Sequence, residues 1–164
     1  MIETMRIAIY PGSFDPITRG HLDIIERISA IFDKVIVCVM VNALKNPMFT
    51  LDERVDMIDR VTRYLPNVEV DSANELLATY ANRVGSNVII KGLRAVSDFE
   101  KEFQMALINK KINPKLETMF LSSSEQFTYL SSSAVKEMAA FGADLKDFVP
   151  EAIIGEIKER AKKI

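Results

Sequence analysis

Cysteine and histidine occur once each in this chain of 164 residues. A lone cysteine excludes a disulfide framework. The place of Cys38 inside the run VIVCVMV marks it as a buried small hydrophobe in a reducing compartment rather than a reactive thiol. Neither sign of charge is in excess: the net charge is −2 and the pI is near 5.5. No global basic field therefore exists to hold nucleic acid or an anionic membrane, and any anion site must be local. No apolar stretch approaches the ~20 residues of a membrane span, and no basic, apolar, small-residue leader is present. A soluble, cytoplasmic protein is expected. Repeats and low-complexity tracts are absent.

What is present is alternation. Apolar runs of strand length (MRIAIY, KVIVCVMV, VEV, NVIIKG and ETMFLS) are separated by helix-length segments whose apolar residues recur at three and four. Strand runs nearly continuous in Val, Ile and Met fit a parallel sheet covered on both faces. The expected fold is α/β: one domain over residues 1–164, with a doubly wound five-stranded parallel sheet and helices on both faces. Thr50 with Glu53, Ser72 with Glu75, and Ser97 with Glu100 have capping-box spacing. Pro150 suits a first helical turn, and Gly85 and Gly142 suit helix stops. In such sheets ligands sit beyond the carboxyl ends of the strands where strand order reverses, which groups the loops after strands one, two, four and five.

Those loops hold the residues with chemistry. YPGSFDPITRGH, from Tyr10 to His21, breaks at Pro11-Gly12 and enters a helix at Gly20-His21. Unpaired helix-start N–H groups attract anions, and His21 adds a donor there, so phosphate handling is expected. Gly12 is read as allowing close ligand approach, and Ser13 as offering a hydroxyl. After the second strand, Lys45 sits on a loop that ends at Pro47, placed for a phosphate contact. Arg54 and Arg60 share a charged helix face with Asp52, Asp56 and Asp59 and are read as solvated surface pairs. Lys91 and Arg94 flank Gly92 at a strand end, a spacing that suits phosphate, and Glu102 and Asn109 fall on one face of the next helix. The serine triplet 131–133 opens another helix as a second anion cup, with Lys136 one turn in. Phe127 and Tyr129 could line an adenine slot or pack on the sheet.

Together GSFDPITRGH, KNPMFTLDER, KGLRAVSDFEKE and YLSSSAVKE resemble the pantetheine-phosphate adenylyltransferases of the T/HxGH nucleotidyltransferase superfamily, nearly end to end. The resemblance implies a Rossmann-like fold and transfer of AMP from ATP to 4′-phosphopantetheine, giving dephospho-coenzyme A and pyrophosphate by direct in-line attack. By position it implies that His21 stabilises the transition state. Ser13, Lys45, Leu77, Lys91 and Asn109 would meet phosphopantetheine. The nucleotide would meet Ser13, Phe14, His21, Gly92, Leu93, Arg94 and Glu102, and the segment Phe127, Thr128, Tyr129, Leu130, Ser131, Ser132 and Ser133. Lys91 stands where many members have arginine. Mg²⁺ would arrive with ATP, coenzyme A would bind as a feedback inhibitor, and a homohexamer would form. Alternatives are a sister transferase acting on nicotinamide mononucleotide or an alcohol phosphate, and a nucleotide-binding regulatory module without turnover. A dinucleotide oxidoreductase is disfavoured because GxGxxG is missing from the first turn.

Overall fold

The computed structural model describes residues 5–42 and 46–162. Five strands, β1 (Ile7–Gly12), β2 (Lys34–Met40), β3 (Val68–Ala73), β4 (Val88–Leu93) and β5 (Glu117–Ser122), form one parallel sheet in the order β3-β2-β1-β4-β5. The crossovers are α1 (Arg19–Ser29), α2 (Leu51–Thr62), α3 (Leu77–Val84) and α4 (Val96–Ile112). A short 3₁₀ turn (Glu125–Phe127) leads to α5 (Ser132–Ala140) and α6 (Glu151–Ala161).

Strand alternation sorts the core into two layers. Ala8, Tyr10, Val35, Val37, Val39 and Ile90 face α1, α2, α5 and α6, whose Ile25, Met57, Val135 and Ile153 are buried against them. On the opposite face Ile9, Ile36, Cys38 and Ile89 meet Ala78, Tyr80 and Ala81 of α3. The expected doubly wound sheet is therefore present, with α4 packed beside α3, β4 and β5. No described helix is long and apolar enough to cross a membrane.

Several local expectations need correction. The first strand does not break at Pro11-Gly12: Pro11 pairs in register with Cys38, and Gly12 with Val39. On the other side β1 pairs with β4 only at Ala8 and Ile9, so the two strands part before Pro11, which has no N–H to give. That parting opens the crevice at the point where strand order reverses. Ser72 caps no helix, because β3 runs on to Ala73 and α3 starts at Leu77 behind Leu76. Ser97 lies inside α4, and the exposed start of that helix is held instead by Asp98 Oδ2, which accepts from the Arg94 N–H at 3.1 Å. The Thr50–Glu53 box is present in both directions. Pro150 stands just ahead of α6, and Gly85 and Gly142 take the left-handed conformation behind α3 and α5.

Candidate active site

The β1–α1 turn is built around a residue in an uncommon conformation. Phe14 has φ of 45°, a region that costs a non-glycine residue about 1–2 kcal/mol. Its buried ring offsets this by packing edge-on to Tyr10 and His21, with centroids 5.4 and 5.1 Å apart. Gly12 has a different reason from the one expected. A Cβ there would lie 3.0 Å from the Phe14 ring, so glycine makes room for the aromatic before any ligand is considered.

His21 is the third residue of α1 and closes a capping box with Thr18. The His21 N–H donates to Thr18 Oγ1 at 3.3 Å, and the Thr18 N–H donates to His21 Nδ1 at 3.1 Å. A backbone N–H can only donate, so Nδ1 presents its lone pair and the ring proton resides on Nε2. Burial pushes the imidazole down to about 4, and the Arg94 guanidinium adds to the shift. At neutral pH His21 is thus an uncharged ring with a fixed Nε2–H donor at a helix N-terminus, the form that acts as an electrophile toward developing negative charge.

Asp15 anchors the turn from behind. Its buried carboxylate accepts from the Met48 and Phe49 N–H groups, both at 2.9 Å, and from Lys136 Nζ at 2.9 Å. One side chain therefore ties the loop after β1 to the segment before α2 and to α5. Lys136, expected in an anion cup, is instead the partner of this carboxylate.

Arg54 also departs from expectation. It is no solvated surface residue: only 5% of it is exposed, and Nη1 donates to the Ser13 carbonyl at 2.8 Å. Arg60 does pair with Asp56, and it reaches Glu156 and the Ala152 carbonyl besides, joining α2 to α6.

On the β4 side two cations are each held by a carboxylate of α4. Lys91 Nζ lies 3.3 Å from Glu102, and Arg94 Nε lies 3.3 Å from Asp98, one helical turn earlier. Arg94 Nη1 also donates to the Leu130 carbonyl at 2.9 Å, linking the start of α4 to the 127–133 segment. Gly92 sits over Ile24 and the Tyr10 hydroxyl, and Leu93 ends β4. Asn109 is the single buried residue of α4, and its amide has no hydrogen-bond partner in the protein among the described residues. Leu77, the first residue of α3, packs at the margin of the second core layer. Lys45 lies outside the described residues.

The 127–133 segment divides its tasks. Phe127 packs on the first core layer beside Gly20, whereas Tyr129 is 64% exposed, its ring edge-on to Phe148. The Thr128 hydroxyl closes back on the Glu125 carbonyl, and Leu130 is buried. Ser131 Oγ caps α5 by accepting from the Ala134 N–H, and Ser132 Oγ donates to the Pro16 carbonyl at 2.7 Å. Of the three serines, Ser133 alone keeps an exposed hydroxyl without a protein partner among the described residues.

Thr18, Asp15, Asp98 and Arg54 were passed over or misread from sequence. Thr18 could have been found, since a threonine three residues before a polar side chain at a helix start has the spacing of a reciprocal capping pair.

Residues 9–138 match the family model described as cytidylyltransferase-like. A phosphopantetheine adenylyltransferase of Caldanaerobacter subterraneus subsp. tengcongensis is 55% identical over 97% of this chain and 99% of its own length. One from Alkaliphilus metalliredigens is also 55% identical, over 96% of this chain and 100% of its own.

This chain belongs to the phosphopantetheine adenylyltransferase family.

Among solved structures, the Plasmodium falciparum nicotinic acid mononucleotide adenylyltransferase complexed with NaAD superposes with a TM-score of 0.67 at 16% identity, covering 98% of this chain and 96% of the other. At that identity the likeness concerns the Rossmann-like fold alone. Membership of the phosphopantetheine adenylyltransferase family thus rests on full-length identity, and the geometry above says how this member is put together.

Proposed function

We infer that this protein transfers AMP from ATP to 4′-phosphopantetheine, forming dephospho-coenzyme A and pyrophosphate. The observation that carries the site assignment is the neutral His21, its Nε2–H fixed at the start of α1 beside the Ser13–Phe14 turn. In the reaction a phosphate oxygen of the acceptor attacks the α-phosphorus of ATP. The new O–P bond forms as the bond to the bridging oxygen breaks, and pyrophosphate leaves with that electron pair. The acceptor is already an anion, so no general base is required. The work lies in aligning two polyanions and stabilising charge on the transferring group. His21 Nε2–H and the Ser13 hydroxyl donate to that group. Lys91 and Arg94, kept in place by Glu102 and Asp98 until phosphates arrive, supply charge, as does Lys45. Asn109 and Leu77 line the pantetheine arm; Phe14, Gly92, Leu93, Glu102 and residues 127–133 receive the nucleotide.

Among the described residues no three His, Cys, Asp or Glu side chains come together to cage a metal. Mg²⁺ is read as entering with ATP, held chiefly by the triphosphate and water. The whole chain is taken as one cytoplasmic catalytic unit that assembles as a homohexamer. Support for assembly comes from α4, where Phe99, Phe103, Met105, Leu107, Ile108 and Ile112 are all more than a third exposed. Coenzyme A, which shares the pantetheine arm and the adenosine group, would occupy the same site as a feedback inhibitor.

The test is pyrophosphate release from ATP and Mg²⁺ with 4′-phosphopantetheine or nicotinamide mononucleotide as acceptor. Release only with phosphopantetheine, lost in His21→Ala, is the expected result. Release only with the mononucleotide would reassign the acceptor.

A further inference from the structure

Arg54 is buried as a cation without a carboxylate to pair with. Among the described residues no acidic group lies within ion-pair distance of it. The nearby Asp15 is already committed to Lys136 Nζ and to two backbone N–H groups. The guanidinium spends Nη1 on the Ser13 carbonyl at 2.8 Å and Nε on the Thr50 carbonyl at 3.3 Å. Nη2 has no protein partner among the described residues, yet no buried side-chain nitrogen in the described structure is sealed off without one. The outer edge of the fork is therefore open. Burial disfavours the charged form of Arg54 and the field of Asp15 only partly offsets this, so an approaching anion would find a cation still short of compensation. The carbonyl it holds belongs to Ser13, next to Phe14 in its left-handed conformation. Arg54 thus fixes the turn that carries the proposed phosphate donors.

We propose that Arg54 is a positioning residue of the transfer site, holding the Ser13–Phe14 turn in its reactive shape and supplying charge that the acceptor phosphate balances. This rests on the acceptor reading above. A guanidinium suits both tasks because two N–H groups act from one rigid plane, whereas a lysine delivers the charge from a flexible stem with no fork.

The experiment uses the full chain with Arg54→Met and Arg54→Lys. Three quantities are read: melting temperature without ligand, its shift with ATP and Mg²⁺ or with 4′-phosphopantetheine, and kcat and KM separately. Arg54→Met should keep a ligand-free melting temperature near that of the wild type, since a hydrophobic isostere of an unpaired buried cation is tolerated. It should lose most of the shift given by phosphopantetheine and about 10²-fold in kcat/KM. Arg54→Lys should recover KM to within about threefold but leave kcat depressed about tenfold, because charge returns without the fork.

Wild-type kcat and KM in both variants, or a lowered melting temperature with unchanged kcat/KM, would reduce Arg54 to a structural residue and overturn the proposal. If Arg54→Met does not fold, Arg54→Lys decides, and wild-type kcat there overturns it. If the wild type itself turns over no phosphopantetheine, the acceptor reading fails. The shift produced by ATP, compared between wild type and variants, still reports on Arg54.

Discussion

Because His21 is the only histidine in the chain, its protonation can be followed by NMR without assignment ambiguity. Burial and the nearby Arg94 bring its midpoint from 6.5 down to about 4. That gap corresponds to ~3 kcal/mol of preference for the neutral ring. The Cε1–H resonance should therefore not move between pH 5.5 and 8, and the nitrogen shifts should report the Nε2–H tautomer that the Thr18 N–H enforces. The same number fixes a sign for stability. Above pH 6.5 folded and unfolded chains both carry a neutral ring, and the full stability is present. Between 6.5 and 4 the unfolded chain takes up a proton that the folded one refuses, so stability falls as pH drops through that window. Urea unfolding of wild type and His21→Gln across pH 4–8 should differ by this slope below pH 6.5 and by a constant offset, from the lost ring packing on Phe14, above pH 7.

Kinetics give the second arm of the same prediction. The acceptor phosphate titrates near pH 6 itself, so an acid limb in kcat/KM is expected whatever His21 does. The informative quantity is the ratio of wild type to variant. A neutral donor predicts a ratio that does not change from pH 5.5 to 8. His21→Ala should lose 10²–10³-fold in kcat, about 2.7–4 kcal/mol, as expected for one donor to a developing oxyanion. His21→Gln, which keeps a neutral N–H of similar reach, should recover about tenfold of that loss. A resonance midpoint between 6 and 7, or a ratio that follows such a titration, would refute the neutral-imidazole mechanism.

Asp15→Ala removes the acceptor of two N–H groups and strands the Lys136 ammonium, so it should destabilise by about 3–5 kcal/mol in urea unfolding. A loss under 1 kcal/mol would mean that water replaces all three contacts. Gly12→Ala places a methyl 3.0 Å from the Phe14 ring and should cost about 1–3 kcal/mol of stability. Because Phe14 packs on His21, kcat should fall more than the affinity for ATP, and unchanged turnover would argue against the ring as a positioning contact. Leu107→Glu with Ile108→Lys on the exposed face of α4 should yield monomers in sedimentation, while the wild type sediments as an oligomer; two monomeric samples would dismiss the assembly.

The sheet was legible because parallel strands buried on both faces are nearly continuous apolar runs, as β1, β2 and β4 are over residues 8–10, 35–39 and 88–90. The edge strands were less so. β3 continues through Glu69, Asp71 and Ser72, polar residues that an edge strand tolerates on its open side, and that extension displaced the expected cap at Ser72. At the carboxyl ends of the strands, residue type and placement singled out His21, Lys91 and Arg94 as candidates, and the structure brings all three to the β1/β4 side of the sheet. The carboxylates that hold those cations, Glu102 and Asp98, share the i, i+4 spacing that ordinarily signals a solvated helix face. Sequence spacing cannot tell a cation at the surface from one approached across the fold.

Arg54 is the sharpest case of that ambiguity. Its neighbours Asp52, Asp56 and Asp59 make a helix surface in the sequence, and Arg60 obeys that reading by pairing with Asp56. Arg54 does not, because its position on α2 faces inward with Met57, Ile58 and Val61, and its partner is a carbonyl 41 residues away. Backbone carbonyls leave no trace in a sequence, so an arginine that serves one looks like any other arginine on a charged helix. The distinguishing clue is periodicity: three residues before Met57 and four before Ile58, Arg54 occupies the apolar stripe. A cation in that stripe has to be balanced by something, and here the carbonyls of Thr50 and Ser13 satisfy its hydrogen bonds while Asp15, shared with Lys136, offsets its charge only in part. A cation only partly compensated, holding the carbonyl next to the bend at Phe14, is what a site that receives phosphate calls for.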